Sequence, residues 1–93
     1  MTTNSVRRVL TIVNEKGLHA RASAKLVELV EGFDATLEVS RDGMSASGDS
    51  IMGLLMLAAA KGSTIEIQTS GTEAQALAEA VEGLVANRFG EEC

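Results

Sequence analysis

Val6 to Val13 is dense in β-formers and stops at Asn14-Glu15-Lys16-Gly17, a turn signal. Leu10 and Ile12 fall on one face, and Val9, Thr11 and Val13 on the other, so alternation predicts a strand without choosing its buried side. From Ala20 to Glu31 the period changes: Ala22, Leu26, Leu29, Val30 and Phe33 make a helical stripe, and Gly32 is a natural stop. Ala35, Leu37 and Val39 then alternate with Thr36, Glu38 and Ser40, as in a half-buried strand. Asp42-Gly43 is a hairpin signal, and the short polar partner Met44–Ser47 suits an edge. The pattern predicts a helix over Ser50–Ala60, with Leu54, Leu57 and Ala58 turned inward, ended by Lys61-Gly62. Ile65 and Ile67 alternate with Glu66 and Gln68 in a last strand. Thr72 with Gln75, or Ser70 with Glu73, has capping-box spacing before the stripe Leu77, Ala80, Val81, Leu84 and Val85.

The order β-α-β-β-α-β-α, without repeat or linker, predicts one α+β domain over residues 1–93, with residues 1–5 and 90–93 frayed. Four strands form a mostly antiparallel sheet covered on one face by three helices, the other face being open to water.

Composition narrows the class. The only aromatics are Phe33 and Phe89, so the core is aliphatic. The one cysteine, Cys93, cannot make an internal disulfide, so packing must supply the stability. No apolar run is long enough to cross a bilayer, and MTTNSVRRVL lacks the pattern of a signal peptide. A soluble cytoplasmic protein is expected, with no membrane insertion. A net charge of −5 argues against nonspecific nucleic-acid binding, as does the lack of aromatics for base stacking, and suits a monomer.

The candidate chemistry centres on His19, the only histidine, in NEKGLHARAS. It follows a turn and opens a helix, where backbone N–H groups lack intrahelical acceptors and favour added negative charge. Arg21 and Lys25 lie close in sequence, and Arg21 has the fork of donors that suits phosphoryl oxygens. A neutral imidazole nitrogen can attack phosphorus in such positive surroundings, which disfavour imidazolium. No acid–base pair is visible for hydrolysis, so carrying the group is the natural task. The plainer alternative is a helix-start surface histidine. One histidine and one distant cysteine do not make a metal site, and nothing calls for a cofactor.

In GDSIMGLLMLAAAKG, Asp49 or Ser50 can cap a helix, and Ile51, Met52, Leu55 and Met56 supply more apolar surface than one core face needs. These residues are either core or an adaptable docking patch.

NEKGLHARAS followed by SASGDSIMGLLMLAAAKGSTIEI resembles the HPr family, the histidine phosphocarriers of the bacterial phosphoenolpyruvate-dependent phosphotransferase system. The likeness runs from Val9 to about Phe89. It implies an open-faced β-sandwich of four antiparallel strands and three helices. It also implies a carrier in a relay, rather than a stand-alone enzyme, serving transport or regulation. By the same resemblance His19 is the phosphohistidine, modified on Nδ1, and Arg21 stabilises the phosphoryl group. Ser50 matches a serine that a dedicated HPr kinase/phosphorylase modifies in some bacteria. Ile51, Met52, Leu55 and Met56, bordered by Leu18, Ala20 and Ala22, match the patch that docks the enzyme I donor and EIIA-type acceptors. The family usually has proline where this chain has Ala22. KLVELVEGFDATLEV and LLMLAAAKGSTIEI resemble the nitrogen-type regulatory carriers, a branch that shares these key positions with the sugar-transport one. The rivals are a non-carrier regulatory binding protein of the same fold, acting through the serine and the apolar patch, and a ferredoxin-like or ACT-like metabolite-binding domain. The presence of His19 argues against the first, and GLHAR together with DSIMG against the second.

Overall fold

The computed structural model describes residues 4–92; the expected fraying over residues 1–3 and any part played by Cys93 lie outside them. The elements are β1 (Ser5–Thr11), α1 (Ala20–Glu31), β2 (Thr36–Arg41), β3 (Met44–Ser47), α2 (Ile51–Met56), β4 (Thr64–Ser70) and α3 (Ala74–Ala86), followed by a 3-10 turn over Arg88–Gly90. The four strands make one sheet in the order β1-β4-β2-β3, with every neighbouring pair antiparallel. The resulting open β-sandwich, with helices over a four-stranded antiparallel sheet, is the expected α+β architecture.

Alternation along the strands explains the two faces of the sheet. Leu10, Leu37, Val39, Ala46, Ile65 and Ile67 point inward to Leu26, Leu54, Leu77, Val81 and Phe89. Val9, Glu38, Glu66 and the half-buried Gln68 face the other way. The burial of Leu10 and Ile12 settles which side of β1 is core. Ile12 continues the pairing past the strand end: its N–H donates to Ser63 O at 2.9 Å, and its carbonyl accepts from Gly62 N at 2.8 Å. The turn leading into α1 is thereby fixed to the turn leading into β4.

Two local expectations are corrected. α2 stops at Met56, because Ala58 takes a left-handed backbone (φ 51°) and is exposed, while Leu57 and Ala59 continue into the core. No capping box opens α3. Its cap residue Glu73 makes no side-chain cap bond and instead accepts from Asp34 N at 2.7 Å, joining α3 to the turn before β2. After α3 the chain turns back on the core. Phe89 is fully buried with φ 53°, Gly90 N and Glu91 N donate to Asn87 O and Arg88 O, and Lys25 Nζ donates to Phe89 O at 2.6 Å.

Among the described residues, no helix is long and apolar enough to cross a membrane, and no group of three or more His, Cys, Asp or Glu side chains gathers to hold a metal ion.

Candidate phosphoryl site

The loop between β1 and α1 is shaped by Gly17 and Asn14. Gly17 has φ +63°, and its Cα lies so close to the segment after α2 that a Cβ there would sit 2.4 Å from Ala59 O. Leu18 N donates to that same Ala59 oxygen at 2.9 Å. The buried Asn14 amide closes the loop from inside by donating to Gly17 O at 2.8 Å. These contacts carry the chain into α1 with His19 in the cap position, in an extended backbone (φ −79°, ψ −176°).

At that cap the imidazole does the work more often done by a serine or aspartate oxygen. His19 Nδ1 accepts from Arg21 N at 3.2 Å, and Ser23 N donates to His19 O at 2.8 Å as the helix begins. The other ring nitrogen, Nε2, meets Glu91 Oε2 in a short contact. The ring is about a quarter exposed (27%), and the Glu91 side chain 17%. The other carboxylate oxygen, Glu91 Oε1, accepts from Asn14 Nδ2 at 3.0 Å. That bond first, then the one from His19, holds the Glu91 carboxyl below its ordinary value, against the opposing effect of burial.

Sequence reasoning missed Glu91 and the role of Asn14, the first read as part of a frayed tail and the second as a turn signal. The available signal was Phe89, a large apolar residue two positions before Glu91 that had to be buried somewhere. The surroundings of the ring are accordingly mixed rather than simply positive. An open depression of about 680 Å³ is lined by Lys16, Arg21 and Lys25 but also by Glu15, Glu91 and Glu92. Lys25 is committed to Phe89 O, whereas the Arg21 guanidinium has no carboxylate within 4.0 Å among the described residues. Arg21 is exposed and lines the depression.

Ser50 occupies the cap of α2, where its Oγ accepts from Gly53 N at 3.0 Å. Asp49 is turned away and accepts from Ser47 Oγ. Beyond the cap, Ile51, Met52 and Met56 are exposed, the two methionines by 69% and 68%, and Leu55 is half-buried. Positions 51, 52, 55 and 56 share one helical face. α2 packs against α1, so this face and the His19 loop belong to connected elements. Ala20 is exposed and fits the border of such a patch, but Leu18 (4% exposed) and Ala22 (0%) are core residues. Leu18 turns in behind the loop, and Ala22 lies on the buried stripe of α1.

Residues 6–87 match the family described as the PTS HPr component, phosphorylation site. Phosphocarrier protein HPr of Cupriavidus necator is 48% identical over 86 residues, covering 92% of this chain and 97% of its own. Phosphocarrier protein NPr of Escherichia coli K12 is 38% identical over 89 residues, covering 95% and 99%. The crystal structure of HPr-C-His from Thermoanaerobacter tengcongensis superposes with a TM-score of 0.89 at 28% identity, covering 95% of this chain and 99% of that one.

Proposed function

Because the chain belongs to the HPr family of phosphotransferase-system phosphocarriers, we propose that it accepts a phosphoryl group on Nδ1 of His19 and passes it on. The donor is of the enzyme I type and the acceptors are of the EIIA type. The observation that carries the reading is the state of the imidazole at the start of α1. Nδ1 accepts from a backbone N–H and so presents a lone pair, while Nε2 faces a carboxylate and so bears the hydrogen.

In the transfer, the Nδ1 lone pair forms the N–P bond as the bond between phosphorus and the donor's leaving atom breaks, its electron pair staying with the donor. No proton has to leave His19 first. The Arg21 N–H that held Nδ1 becomes available to a phosphoryl oxygen, alongside the other free N–H groups of the first turn. The Arg21 side chain supplies a charge-assisted donor to the same oxygens. The acceptor's nucleophile reverses these steps.

The apolar face of Ile51, Met52, Leu55 and Met56, with Ala20 beside it, is the docking surface for donor and acceptors in this reading. Exposed methionines adapt to more than one partner. A phosphate on Ser50, added by an HPr kinase/phosphorylase, would place about −1.5 to −2 charges at the edge of that face and hinder docking. The protein works as a cytoplasmic monomer.

The test is intact-mass analysis after incubation with phosphoenolpyruvate and enzyme I from the sugar and nitrogen branches in turn, with His19→Ala alongside. One acid-labile phosphate that is absent from H19A is expected, and the faster donor identifies the branch. No phosphate from either active donor would replace the carrier reading with that of a regulatory binding protein.

A further inference from the structure

We propose that Glu91, held by Asn14, is a positioning residue for phosphoryl transfer: it fixes the Nε2–H tautomer of His19 and faces the positive charge that the ring acquires when Nδ1 takes phosphorus. The proposal rests on the reading of His19 as the acceptor and assigns a role to two residues outside the HAR motif.

Asn14 is fully buried, and its Oδ1 has no hydrogen-bond partner among the described residues. An unpaired buried carbonyl of this kind is unfavourable, so an asparagine kept in such a place calls for an explanation. Its other amide atom supplies one. Nδ2 has two hydrogens and spends both, one on Gly17 O at 2.8 Å and one on Glu91 Oε1 at 3.0 Å. Both partners are acceptors, so the amide cannot be turned over to satisfy Oδ1 without setting oxygen against oxygen. The same side chain thus fixes the loop in front of His19 and the carboxylate behind it.

Glu91 is delivered from the far end of the chain by a firm anchor. Phe89 fills the core, and Lys25, from the second turn of α1, grips the Phe89 carbonyl at 2.6 Å. The carboxylate then bridges Asn14 through Oε1 and His19 through Oε2. An ionised carboxylate only accepts, so Nε2 must carry the hydrogen and Nδ1 the lone pair. The bond from Arg21 N to Nδ1 requires the same tautomer, so both ends of the ring agree.

The same arrangement suits the transfer step. When Nδ1 bonds to phosphorus and Nε2 keeps its hydrogen, the ring becomes formally cationic. The carboxylate at Nε2 offsets that charge through a charge-assisted hydrogen bond. Return of the phosphoryl group to an acceptor leaves the ring neutral and still oriented.

The test uses full-length Glu91→Gln and Glu91→Ala, with Glu82→Gln on the exposed side of α3 as a charge control. Ring 15N shifts of His19 read the tautomer, and single-turnover phosphorylation by enzyme I reads the rate. The wild-type and E82Q proteins are expected in the Nε2–H form. E91A is expected as a mixture of tautomers, and both Glu91 variants to be phosphorylated roughly 10- to 100-fold more slowly, the size of the loss when a metal-bound histidine is deprived of its orienting partner. An Nδ1–H tautomer in the wild-type protein overturns the proposal, whatever the stability of the variants. So do wild-type rates in E91Q and E91A when His19 itself is phosphorylated. If the wild-type protein takes no phosphate on His19, it is the carrier reading that fails, and the 15N tautomer still reports on Glu91 separately.

Discussion

Replacing Gly17 with alanine puts the geometry of the site loop under a quantitative test. The added methyl carbon would lie 2.4 Å from Ala59 O and 2.9 Å from the Ala60 Cα, and neither atom belongs to a flexible side chain that can swing aside. Left-handed backbone costs an alanine about 1–2 kcal/mol, and forcing atoms into a packed site adds about 1–3 kcal/mol. Ala59 O also accepts from Leu18 N at 2.9 Å, so its retreat weakens a bond worth about 1 kcal/mol. Together these come to about 3–6 kcal/mol, a large share of the roughly 5–14 kcal/mol expected for a domain of this size. Gly62→Ala is the control: at φ +90° its backbone is no easier for alanine, but no atom of the described residues lies within 4 Å of the new carbon. It should lose only about 1–2 kcal/mol. Urea unfolding of both variants reads the difference directly, since midpoint shifts convert to free energy through an unchanged slope. Equal losses in the two variants, within about 0.5 kcal/mol, would refute the clash with the Ala59–Ala60 segment.

Ser50→Ala should cost about 1 kcal/mol in the same assay through loss of the α2 cap, whereas Ser50→Asp keeps a cap acceptor and should slow transfer from the donor more than it weakens the fold; unchanged transfer kinetics in S50D would count heavily against a docking role for this helix end. Ala22→Pro falls in the first turn of α1, where the lost N–H has no intrahelical acceptor, so it should be neutral or stabilising by about 0.4–1 kcal/mol. A urea midpoint showing a clear loss instead would mean that the fully buried Ala22 site has no room for the ring. The Glu91 carboxyl titrates lower in the folded chain than its ordinary 4.5, so the unfolded chain takes up its proton first as pH falls. Its contribution to stability is therefore complete above about 4.5 and is lost as pH drops through the lower folded value. The Asn14 side-chain amide resonances should shift over that window in the wild-type protein and stay flat in E91Q; a wild-type protein without such a shift would contradict the bridge.

Much of the fold was legible because alternation and helical stripes report burial directly: Leu37 with Val39, Ile65 with Ile67, and Leu77 with Val81 all lie where the pattern puts them. What escaped reading depends on contacts distant in sequence. Nothing in LLMLAAA marks Ala58 as the left-handed residue that ends α2; packing of Leu57 and Ala59 on either side decides it. Glu73 has the spacing of a capping box, yet its carboxylate is taken by Asp34 N, 39 residues away. The same holds for the site. His19, Arg21 and Ser50 stand in short motifs whose local geometry, a helix start, is itself local. Glu91 reaches His19 across 72 residues, and only the burial of Phe89 makes that meeting necessary.

The central claim, that Nδ1 of His19 carries the group, is tested most directly by 15N and 31P NMR of the chain labelled at histidine and phosphorylated by enzyme I. A one-bond nitrogen–phosphorus coupling at Nδ1, with Nε2 still bearing its hydrogen toward Glu91, is the expected result. Coupling at Nε2, or phosphate on any other residue while the ring stays unmodified, would contradict the account.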